Sequence, residues 1–222
     1  MSLLPKTERS TAKQLSHFRV SYNANSSKRS GNADRNTAEA TTTVENIHER
    51  GDVILVAGPD QTDKFRVSST SMSSASKVFS AMFSGRFAEG QDLSSDSPPE
   101  VSLPDDDPFS VRIICNVIHF KTKGIPKSLE MKDLMNVAKL AHKYDCGAVL
   151  KWTSYFWINE AKPDLNVRNS LAMISVAYLL DDPDQFRTFT SDLIYRLRWD
   201  LGEICRLNDS IGSAIPMKIL RK

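Results

Sequence analysis

No stretch of this 222-residue chain approaches the roughly 18 to 20 apolar residues that a membrane-crossing helix needs. The opening MSLLPKTERS lacks the apolar run of a secretory leader. A soluble protein of the cytoplasm or nucleus, with no membrane partner, is therefore expected. Glycine is scarce: there are nine, none in GxGxxG or GxxxxGK spacing. A phosphate cradle needs closely spaced glycines ahead of a helix so that backbone N–H groups can approach the phosphate, and that device is missing. Cysteine is scarcer still. Cys115, Cys146 and Cys205 are odd in number, far apart and set among apolar residues, which fits reduced thiols rather than a disulfide framework.

Metal and catalytic constellations are equally thin. A zinc site needs four converging ligands, or three and an open position. Cys115 and His119 are four apart, as are His142 and Cys146, but neither pair has a CxxC or HxxxH companion. His142 and Cys146 also lack a third orienting group for nucleophilic work. The carboxylates of Asp105–Asp107, and those of Asp181, Asp182 and Asp184, stand beside prolines at helix starts, where capping and the helix dipole account for them. No cofactor, no metal and no enzymatic activity are expected.

Charge of one sign is also missing. Residues 1–50 hold eight Lys/Arg against five Asp/Glu, while the whole chain is only +2. The remainder is thus close to neutral and slightly acidic, which excludes a basic body seeking nucleic acid.

What is present is enough apolar residue, 40% of the chain, for a sizeable core. Residues 1–43 are rich in Ser, Thr, Asn and charge and are expected to form a disordered tail. DVILVAG, ended by Gly58-Pro59-Asp60, and FRV (65–67) predict a hairpin. A short helical patch at 71–75 and a stronger one at 76–84 follow. GQDLSSDSPPE is a loop, and Val101–Leu103 is a short strand stopped by Pro104. From Asp107, with Pro108 in the first turn, helices dominate. Phe109, Ile113, Val117 and Phe120 predict one stripe, and Met131, Leu134, Met135, Ala138 and Ala141 a second. A third helix carries Leu150, Trp152, Tyr155, Phe156 and Trp157. Beyond it, Val167, Leu171, Ile174 and Tyr178 mark another stripe. Asp182-Pro183 opens a last helix with Phe186, Phe189, Leu193 and Leu197 inward. Strands first and helices after them make an α+β chain.

In this order, GDVILVAG, FRV, SMSSASKVFSAMF, VSLPDDDPFSVRIICNVIHFKTKGIP and MKDLMNVAKLAHKYDCGAVL resemble the BTB/POZ domain over residues 44–150. The resemblance implies a small three-stranded sheet flanked by a helical cluster. Asp52, Ser76, Phe79, Leu103, Asp107 and Phe109 stand at the family's structural positions. Residues 151–205 then form a C-terminal helical extension, and 206–222 an irregular tail. One departure concerns Asp52: Ser68-Ser69 and Met72 stand where the family usually has a basic residue and then Leu. Asp52 therefore has no basic partner, which weighs against a repressor-type charged pocket.

The resemblance also gives FSAMFSGRFAEGQ (79–91) a role. Phe79, Met82 and Phe83 read as a helix's inner face, and Ser84-Gly85 as its exit. In BTB adaptors of cullin-RING ubiquitin ligases, the loop after this helix carries a hydrophobic-x-Glu motif that docks on the cullin. Phe87-Ala88-Glu89 matches it in type and place. The candidate partner-binding set is Phe87 and Glu89, with Met82 and Phe83 beside them. The family implies a homodimer, a cullin scaffold as partner and an unidentified client protein. Although the extra N-terminal strand that some members swap is not visible, the short layout with a polar tail is similar to fungal BTB proteins. The alternative is a homotypic scaffold or transcription-associated module without ubiquitin function.

Overall fold

The structure, a computed structural model, describes residues 43–160 and 167–197. The expected tail at 1–43, apart from Thr43, and that at 206–222 lie outside those residues, as do Cys205, the extension beyond residue 197, and the side chains of Val167 and Leu197.

The hairpin forms as the alternation predicts. β2 (Val53–Ala57) and β3 (Asp63–Val67) are antiparallel, with Leu55 opposite Phe65. β4 (Glu100–Leu103) lies parallel to β2 on its other side. The sheet has four strands rather than the expected three, in the order β1-β3-β2-β4, because β1 (Val44–Asn46) adds in parallel to β3. β1 is only three residues long and pairs through its backbone, so no side-chain alternation announces it. It is fixed by Ile47, buried in the core, and by the Glu45 carboxylate 2.9 Å from the Arg112 guanidinium.

Short helices follow the hairpin, each capped by serine. Ser68 caps α1 (Ser69–Ala75) and Ser76 caps α2 (Lys77–Met82), accepting from the Phe79 N–H at 3.0 Å. The Ser76 hydroxyl also donates to the Tyr144 carbonyl, tying α2 to the helical cluster. α3 (Pro108–Ile118) starts at Asp107, whose carboxylate accepts from Ser110 N–H at 2.9 Å and from its hydroxyl at 2.6 Å. Pro108 at the first position has no N–H to leave unpaired. α4 (Met131–Lys143), α5 (Gly147–Glu160), α6 (Val167–Leu179) and α7 (Pro183–Leu197) complete the order. α7 packs along α6, α6 against α4, and α3 against both α4 and α5. The domain boundary expected after residue 150 falls inside the continuous α5.

One predicted stripe is corrected, and the apolar residues named for the third helix divide between its two sides. Phe109, in the first turn of α3, is exposed, and Phe120 is 85% exposed beyond its end, with φ of 55°. In α3 Val111, Ile113, Ile114, Cys115, Val117 and Ile118 are all buried, so the helix's inner face is made by these residues without the two phenylalanines at its ends. On α5, Leu150, Trp157 and Ile158 face the core. Trp152, Tyr155 and Phe156 lie on the outer side, Trp152 at 76% exposure and Phe156 at 64%. Among the described residues no helix is long and apolar enough to cross a membrane.

Candidate partner-binding site

The site begins where α2 ends. Phe83 closes the helix through its N–H to the Phe79 carbonyl at 2.9 Å, and the Ser84 hydroxyl bonds back to the Ala81 carbonyl at 2.7 Å. Gly85 then turns left-handed at φ +75°, a conformation that costs an L side chain but not glycine. Phe87 is extended and leads into a single 3-10 turn, Ala88–Gly90, closed by the Gly90 N–H on the Phe87 carbonyl at 3.1 Å. Gly90 comes back against the helix exit. A Cβ there would lie 2.6 Å from the Gly85 nitrogen and 2.8 Å from the Met82 carbonyl oxygen. Residues 85–90 therefore form a closed bulge with Phe87 near its outer limit.

Phe87 is 42% exposed, a large figure for phenylalanine. Glu89 is half-buried and makes no ion pair or side-chain hydrogen bond among the described residues. Met82 and Phe83, expected beside them in the contact set, are buried instead. The Phe83 ring stacks on Phe79 at 5.8 Å, and Phe79 stacks on Tyr144 at 4.4 Å. Phe83 is engaged in this aromatic stack and Met82 is 3% exposed, so neither offers a surface to a partner. The candidate set that stays accessible is Phe87 and Glu89.

Of the remaining family positions, Asp52, Ser76, Phe79, Leu103 and Asp107 serve the scaffold, whereas Phe109 is exposed. Asp52 makes no ion pair among the described residues, and its carboxylate is held by Ser69: the N–H donates at 2.7 Å and the hydroxyl at 2.6 Å. Ser68 N–H donates to Nε2 of His119 at 3.0 Å, while Nδ1 of His119 faces the Cys115 carbonyl at 2.8 Å. One nitrogen accepts and the other donates, so the ring is neutral and neither nitrogen is open to a metal. Burial lowers the His119 pKa, the Cys115 carbonyl opposes the shift, and His48 adds to it. Burial pushes the Cys146 thiol up to about 12 and Cys115 higher, the opposite of a reactive thiolate.

Asp106 accepts from the Tyr144 hydroxyl and pairs with the Lys143 ammonium, joining the turn after β4 to the end of α4. Burial raises the Tyr144 pKa well above its ordinary value. Asp182 caps α7 by accepting from the Gln185 N–H at 3.1 Å. Both acidic clusters thus have structural work. Among the described residues no three His, Cys, Asp or Glu side chains gather as metal ligands. The exposed aromatics of α5 are the surface feature that sequence reading missed; their i, i+3, i+4 spacing looks the same whichever face it occupies.

A small sheet with a packed helical cluster is the architecture of the BTB/POZ fold, a protein–protein interaction module. The family model for the BTB/POZ domain matches residues 44–161, more than half of the chain. The chain belongs to the BTB/POZ domain family. Its match runs through the end of α5. A search of curated proteins found no match to the chain.

Proposed function

We propose that this protein is a non-enzymatic BTB adaptor that self-associates and docks on a cullin scaffold through Phe87 and Glu89. The observation that carries the reading is the placement of Phe87, exposed at the turn of the closed 85–90 bulge and not folded back onto its own core. An aromatic held rigidly outward loses little freedom on binding, and such anchors dominate interface energies. Glu89, two residues on, supplies a carboxylate with no internal partner among the described residues. α6 and α7 extend the helical cluster in the way that adaptor-type BTB proteins often widen the groove for the cullin.

Truncating an anchor of this kind costs about 2 kcal/mol or more, which is roughly thirtyfold in affinity. Calorimetry of the full chain against purified cullin N-terminal domains therefore gives micromolar or tighter binding for the wild type, lost in the Phe87→Ala/Glu89→Ala double variant. No binding at micromolar concentration by the wild type contradicts the adaptor reading. Self-association is tested apart from it, by light scattering over a range of concentrations. A monomer at tens of micromolar contradicts the homodimer.

The competing reading, a homotypic scaffold without ubiquitin function, draws on the exposed Trp152, Tyr155 and Phe156 of α5. It predicts self-association in the double variant and no cullin binding in either protein.

A further inference from the structure

The loop between Gln91 and Pro99 has no helix or strand and carries the sequence QDLSSDSPP. Of the ten prolines in the chain, Pro98 alone follows a serine or threonine. We propose that Ser97 is a phosphorylation site for a proline-directed serine/threonine kinase, and that the Arg66 guanidinium receives the phosphate.

The loop is held at both ends and exposed between them, where the Asp96 N–H donates to the Ser94 hydroxyl at 3.3 Å. Leu93 packs against the core, and the Ser94 N–H donates to the Asp52 carbonyl at 3.3 Å. At the other end the Ile54 N–H donates to the Pro99 carbonyl at 2.9 Å, where β4 begins. Between these anchors Ser95, Asp96 and Ser97 are all exposed. Pro98 biases Ser97 away from helical backbone toward the extended form, which is how a kinase cleft takes a substrate segment. Pro98 also removes the N–H that would otherwise have to be satisfied after the acceptor serine.

Arg66 supplies the second, independent observation. Its Nε donates to the Gly51 carbonyl at 2.8 Å and its Nη2 to the Ser95 carbonyl at 2.6 Å. Both acceptors are neutral, and the guanidinium makes no ion pair among the described residues. A full positive charge thus stands bonded to the loop two residues before Ser97, with further N–H donors. A phosphoserine brings nearly two negative charges and three strong acceptor oxygens, which suit a guanidinium.

In the reaction the Ser97 hydroxyl oxygen attacks the γ-phosphorus of magnesium ATP. The new bond is Oγ–P, the bond to the β-phosphate oxygen breaks, ADP leaves, and the hydroxyl proton passes to the kinase's base. No step requires this chain to act as a catalyst.

The full chain is incubated with a purified proline-directed kinase and magnesium ATP, and the phosphate is located by tandem mass spectrometry. The expected result is one phosphate per chain at Ser97, none in Ser97→Ala, and a rate at least tenfold lower in Pro98→Ala. Absence of phosphate at Ser97 in the wild type, or an unchanged rate in Pro98→Ala, overturns the site. Phosphorus NMR then tests the acceptor. The second ionisation of a free phosphoserine falls near pH 6, and Arg66 should move it downward in the folded chain relative to the phosphorylated 91–100 peptide. The shift should vanish in Arg66→Gln and survive in part in Arg66→Lys. A folded-chain phosphate that titrates with the peptide's overturns the role of Arg66.

Discussion

Ser69 spends both its N–H and its hydroxyl on one carboxylate, that of Asp52. Hydrogen bonds to a charged acceptor contribute about 1.5 to 3 kcal/mol, and less where water competes. Asp52 is half-buried and keeps the N–H bond in the Ser69→Ala variant, so that substitution should cost about 1 to 2 kcal/mol in urea denaturation. The sequence shows serine where the family usually has the basic residue facing Asp52. It does not show that Ser69 holds the carboxylate, because a serine becomes a partner only through the backbone turn that aims it. His119 offers a second test at the same scale. Its pKa is lowered in the fold, chiefly by burial, so the unfolded chain takes up the proton first as pH falls. The stability that neutral His119 contributes is complete above the unfolded value of about 6.5. It is lost between that pH and the lower folded value. Denaturation at pH 7.5 and 5.5 should show a smaller difference in His119→Gln than in the wild type; equal differences would mean that His119 is not held neutral.

The elements were legible where one residue type has one strong local meaning. Asp107-Pro108 and Asp182-Pro183 mark helix starts, and each aspartate is found capping. The hairpin follows from an apolar run and a glycine-proline turn. Legibility fails for β1, which is held by backbone pairing and one ion pair, and for α3 and α5, where apolar residues occur on more than one side. It fails in part for the candidate site: the sequence gives Phe87 and Glu89 a role but cannot tell that Met82 and Phe83 turn inward. The bulge that separates them can be tested by itself. Gly90→Ala forces a Cβ against the Gly85 nitrogen and the Met82 carbonyl, displacing the bulge while leaving Phe87 and Glu89 in the chain. Cullin affinity should fall in this variant although both contact residues remain; unchanged affinity would show that the closed bulge does not orient them. Between elements, Tyr144→Phe removes the hydroxyl that Asp106 accepts from inside the core. A loss of about 1 to 3 kcal/mol is expected in thermal or urea unfolding.

At the scale of the whole molecule, the sheet and the helical cluster share one core that runs from Ile47 through Leu180. Within that core the aromatic stack of Phe83, Phe79 and Tyr144 and the Ser76 hydroxyl on the Tyr144 carbonyl tie α2 to the helical cluster, and the bulge follows the end of α2. The near-neutral charge of the chain after residue 50 leaves specificity to shape and to a few anchors rather than to long-range attraction. On the proposed adaptor reading, the binding energy is concentrated in the Phe87 side chain. The most direct measurement is therefore the affinity of the full chain for purified cullin N-terminal domains, wild type beside Phe87→Ala. The account predicts micromolar or tighter binding that weakens about thirtyfold or more in the variant with no loss of folding stability. Equal affinities for the two proteins, or no binding by the wild type, would contradict it.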